Sequence, residues 1–69
     1  MNETLAERIQ TAMEVREMTQ TDLVRLTGMS SAQINHIVNG RTKDPGFTQV
    51  VKIAKALDVS LNYLAGWKK

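Results

Sequence analysis

Apolar residues recur along this chain at helical rather than strand spacing and divide it into five segments. Leu5, Ile9, Ala12 and Met13 fall on one stripe, which predicts a first helix from about Glu3 to Glu17 with Asn2 as its cap. Thr19 is expected to cap a second helix. There Asp22 at N3 forms an imperfect capping box, Leu23 and Thr27 face inward, and Gly28 is the left-handed residue that ends it. Ser30 caps a third helix, whose buried side is built on Ile34 and Ile37 and which Asn39-Gly40 stops. Residues 40–46 form the longest loop, and Pro45 fits the first turn of a fourth helix with Asp44 as its cap. That helix runs to about Leu57 and is expected to bury Phe47, Val50, Val51, Ala54 and Leu57. Asp58-Val59 turn the chain, Ser60 caps a short fifth helix, Leu61 and Leu64 return to the core, and Gly66 stops it. The predicted class is all-α, with no strand, repeat, low-complexity segment or linker, and residues 1–69 read as one domain.

Composition narrows the function. A chain of 69 residues buries a modest fraction of its surface, so marginal stability is expected unless a partner subunit adds to it. No cysteine is present, which excludes disulfides and thiolate metal sites, and a single histidine excludes a multi-histidine site. No cofactor and no small-molecule substrate are expected. No apolar run approaches the roughly 20 residues that span a bilayer. The opening residues mix charged and apolar side chains, unlike a signal peptide, and a cytoplasmic location is expected. Net charge is +2, which permits nucleic-acid binding without establishing it. The distribution says more. Glu3, Glu7, Glu14 and Glu17 lie in the first quarter, whereas Arg41, Lys43, Lys52, Lys55, Lys68 and Lys69 lie in the middle and tail.

The third helix carries the candidate chemistry. Opposite Ile34 and Ile37 stand Ser31, Ala32, Asn35 and His36, all small or polar and uncharged. A helix wanting only solubility would show Glu and Lys there. Two short helices around Gly28 with such an outward face read as helix-turn-helix DNA recognition over about residues 20–39. Simpler readings exist for single residues. Gly28 alone fits an ordinary helix end, His36 a solvated side chain, and Arg41 and Lys43 a solvated loop. No second ligand group accompanies His36, which argues against a metal. No nucleophile–base set, phosphate-cradling loop or paired carboxylates suggests an enzyme.

Thr19-Gln20, Gly28, Asn39-Gly40, the run Gly40-Arg41-Thr42-Lys43-Asp44-Pro45-Gly46-Phe47 and the run Ala54-Lys55-Ala56-Leu57-Asp58-Val59-Ser60 agree without a gap with one family. The chain resembles the phage repressor and Cro-like helix-turn-helix proteins, also called the Xre family, over nearly its whole length and its lambdoid members most. The resemblance implies a compact five-helix, lambda-repressor-like domain that binds double-stranded operator DNA as a homodimer, with dimerisation weak off DNA. It places Ser31, Ala32, Asn35 and His36 at base-reading positions. Thr19, Gln20, Ser30, Asn39, Arg41, Thr42 and Lys43 fall at positions that hold the sugar-phosphate backbone. Val59, Leu61 and Tyr63 are expected to line the dimer contact, with Trp67 nearby and unassigned. The function implied is a phage or prophage repressor of transcription. The competing reading is an antitoxin-like or protein-interaction module on the same fold, which an uncovered apolar strip would favour.

Five positions, in three departures, differ from the family pattern. Met13 and Val38 stand where many relatives carry an interior Arg–Glu pair, a swap that can be neutral or stabilising. Asp44 and Gly46 replace arginines of some relatives, which weakens the loop's grip on DNA. Val24 stands where alanine is usual, close to the crossing of the two motif helices.

Overall fold

A computed structural model describes residues 4–42 and 44–66. Asn2, Glu3, Lys43, Trp67, Lys68 and Lys69 lie outside the described residues, and with them the expected Asn2 cap. The element order is α1 (Leu5–Arg16), α2 (Gln20–Thr27), α3 (Ser31–Val38), α4 (Phe47–Leu57) and α5 (Leu61–Ala65). α1 packs against α3, α4 and α5, while α2 packs against α3 and α4. Every helix contributes to one apolar cluster, in which Ile9, Leu23, Ile34, Ile53, Leu57 and Leu64 are fully buried.

Local chemistry sets the helix starts. Thr4, not Asn2, caps α1: its Oγ1 accepts the Glu7 N–H at 3.2 Å, and Glu7 Oε1 accepts the Thr4 N–H at 2.8 Å. The Thr-x-x-Glu register closes both bonds of a capping box, and the helix begins where that box is available. The Thr19–Asp22 box is likewise complete rather than imperfect. Ser30 and Gln33 form a third box, and Ser60 caps α5 by accepting the Tyr63 N–H. Bonding from Thr19, first its backbone N–H and then its hydroxyl, together with nearby Arg25, holds the Asp22 carboxyl below its ordinary pKa. The charged box is intact at neutral pH and weakens only as acidification carries Asp22 through that lowered value.

α4 corrects several expectations. It starts at Phe47 with Gly46 as an extended N-cap and no side-chain cap, so neither Asp44 nor Pro45 belongs to it. Pro45 is buried instead, before the helix begins. Phe47 then occupies the first helical position and is 74% exposed. Val50 and Val51 are half-buried, and Ile53 takes the fully buried place. Leu61 also stays on the rim at 36% exposed, because the short α5 sends only Leu64 into the core.

Two helices end on left-handed residues that are not glycine. Glu17 has φ 55° and Asp58 φ 58°. Both sit in double-bonded C-terminal turns: the Met18 N–H donates to Met13 O at 2.8 Å and the Val59 N–H to Ala54 O at 3.0 Å. Arg16 Nη2 donates to Asp58 O at 3.0 Å, so Asp58 is tied to a second element while the Glu17 side chain is exposed. Glu17→Gly is therefore expected to raise stability by about 1 kcal/mol, since glycine meets no Cβ penalty there. Urea melts would show the midpoint rising; a fall would mean the Glu17 side chain contributes a favourable contact.

Candidate nucleic-acid interface

The turn between α2 and α3 is assembled from short-range chemistry. Gly28, at φ 75°, lets its N–H reach Val24 O at 3.0 Å and ends α2. Thr27 is buried and fully used: its hydroxyl donates to Leu23 O at 2.5 Å and accepts the Met29 N–H at 3.2 Å. That relay satisfies two backbone groups where the chain reverses, and Met29 enters the core beside it. The Ser30–Gln33 box then starts α3 at once.

α3 buries Ile34, Ile37 and Val38 and turns Ser31, Ala32 and His36 to solvent. Asn35 is half-buried, and its Nδ2 donates to Gln20 Oε1 at 3.2 Å, which joins the middle of α3 to the first residue of α2. At the far end, the Arg41 and Thr42 N–H groups both donate to His36 O, at 2.8 and 3.2 Å, with Gly40 left-handed at φ 78°. This double-bonded ending ties the chain leading to Arg41 to the same helix that presents His36. The start of α2 at Gln20 and the chain leading to Arg41 and Thr42 are thus both tied to α3. Asn39 and Arg41 are exposed, and Thr42 is half-buried. Thr19 and Ser30 have committed their oxygens to capping, and the Ser30 hydroxyl keeps its hydrogen to donate. Lys43 lies outside the described residues.

Two side chains that the sequence did not single out brace this surface. Gln10 Nε2 donates to Val38 O at 2.6 Å, so α1 holds an otherwise open carbonyl at the end of α3. A bond between residues so far apart in the chain leaves no sequence signal. Gln33 was legible, since Ser-x-x-Gln is a capping-box pattern. Val38 is buried in the core cluster, with Met13 and Val24 packed against that cluster.

The expected dimer residues divide between two grooves. Leu61 lines one with Leu5, Asp44, Pro45, Phe47, Val50, Leu64 and Ala65. Val59 and Tyr63 line another with Thr11, Ala12, Val15, Arg16, Asp58 and Ser60. The Arg8 guanidinium stands 5.7 Å from the centre of the Tyr63 ring, which keeps that aromatic engaged within the chain. No helix among the described residues is long and apolar enough to cross a membrane.

Residues 8–69 match the family model of the Cro/C1-type HTH DNA-binding domain. Comparisons with curated proteins and with solved structures found no match.

Proposed function

From a chain that belongs to the Cro/C1-type helix-turn-helix DNA-binding family, and is thereby a DNA-binding transcription regulator, we propose a phage or prophage repressor that occupies an operator and denies polymerase its promoter. The observation that carries this reading is the outward side of α3: exposed, uncharged, and bracketed at both ends by groups that suit phosphate. Ser31 can serve either kind of base edge, Ala32 offers a methyl surface to thymine, and His36 can donate to guanine. The N-termini of α2 and α4 add backbone N–H groups and the positive end of the helix dipole; α4 suits this because no side chain caps it. In this role Asn39, Arg41, Thr42 and Lys43 hold the backbone beside the read bases, in a bacterial or infected-cell cytoplasm.

A second copy of the chain completes the proposal. Two-fold related recognition helices read a pseudo-palindrome whose half-sites lie about one helical turn apart. Exposed Phe47 beside Leu61 gives an apolar surface for such a contact, and its small extent fits a dimer completed on DNA. The same uncovered surface also favours the protein-interaction reading.

A salt titration tests the electrostatic half. Arg41→Ala is expected to weaken cognate and unrelated duplexes alike and to reduce the slope of log K against log salt by about one unit. An unchanged slope would place Arg41 away from phosphate.

A further inference from the structure

The bond between Asn35 and Gln20 is the side-chain link between the two motif helices among the described residues. Both residues are half-buried, so it sits in the seam of α2 and α3 rather than in open water. A primary amide has an acceptor oxygen at one end and two N–H donors at the other. With Gln20 Oε1 committed to Asn35, the Nε2 end remains, and no acceptor among the described residues meets it. Gln20 is the first residue of α2, where the backbone N–H groups and helix dipole already favour an anion. A phosphate oxygen only accepts. A reversed Gln20 amide would set its oxygen against that anion and lose the contact.

On the DNA-binding reading above, we infer that Asn35 is a positioning residue: its amide N–H holds the Gln20 oxygen, so that Gln20 presents only donors to a backbone phosphate. Asn35 thereby acts on the grip on the backbone, while Ser31, Ala32 and His36 do the reading. Fixing the Gln20 amide before DNA arrives also removes part of the ordering cost of binding. The link couples the two tasks of the motif, because a shift of α3 in the groove carries the Gln20 donors with it.

The test combines a double-mutant cycle with a measurement on the free protein. Affinities of the wild type, Asn35→Ala, Gln20→Ala and the double variant are measured on a selected site and on an unrelated duplex. Thermal melts are used to confirm folding. Asn35→Ala is expected to weaken both duplexes by roughly five-fold, as for one lost hydrogen bond, without changing the preferred sequence. In the Gln20→Ala background its effect should vanish. Relaxed preference at one base pair, or a full effect without Gln20, would overturn the inference and make Asn35 a base reader. Side-chain NMR relaxation reports the bond without DNA: the Gln20 amide should be ordered in the wild type and mobile in Asn35→Ala. An equally mobile amide in both would overturn the inference whatever the DNA result. A wild type that binds no duplex while its Gln20 amide is ordered would sink the DNA reading and, with it, the phosphate role.

Discussion

Replacing Ile34 with alanine is expected to destabilise the fold by about 2–5 kcal/mol, the usual range for removing a large apolar side chain from a closed core. Ile34 has no solvent exposure and lies in the core cluster, where α3 packs between α1 and α2 and leaves little room for collapse. At roughly 0.05–0.15 kcal/mol per residue, a chain of 69 residues holds only about 3.5–10 kcal/mol in total. A loss of 3 kcal/mol lowers the melting temperature by about 12–24 °C for a domain of this size, and the weaker end of the range unfolds at 37 °C. Ile34→Val should cost only about 0.5–1.5 kcal/mol. DNA binding by Ile34→Ala is expected to fall in step with the folded fraction, with base preference unaltered. Preference that changed while the melt did not would mean that Ile34 acts on the outward face. Calorimetry and binding on one preparation separate the outcomes.

The opposite signature is expected two and three residues away from that buried position along α3. Ser31 and His36 are exposed, and their side chains make no bond within the described chain. Ser31→Ala and His36→Ala should therefore leave the melt within about 0.5 kcal/mol. On the cognate site each should cost about 1–3 kcal/mol and relax preference at one base pair per half-site. On unrelated DNA the cost should be small, because sequence-independent affinity comes from phosphate contacts. Intact sequence preference in His36→Ala would remove the recognition face from this side of α3. Together with Ile34→Ala, these variants separate what holds the motif from what it presents.

Most of the motif is legible in the sequence because its signals are local. A cap needs one Ser or Thr and a partner three residues on, and a helix end needs a left-handed residue. Thr19, Gly28, Ser30 and Ser60 therefore stand where the sequence places them. Thr4-x-x-Glu7 was equally readable and is a better cap than Asn2, because it closes two bonds rather than one. What escaped is what depends on distant parts of the chain. Phe47 sits on the same stripe as Val50, Ala54 and Leu57, but periodicity cannot say where a helix runs out of neighbours. Pro45 could have opened α4 on conformational grounds, but the helix starts at Phe47 and Pro45 is buried ahead of it. The bonds from Asn35 to Gln20 and from Gln10 to Val38 O join separate elements, and only the folded geometry brings them together.

The central claim, that the outward face of α3 reads duplex DNA in a two-fold arrangement, is tested most directly by selecting bound sequences from a random duplex pool with the wild-type chain. The expected result is enrichment of a pseudo-palindrome whose half-site centres lie about 10 base pairs apart, with tight binding that weakens steeply as salt rises. Failure to enrich any sequence would contradict it.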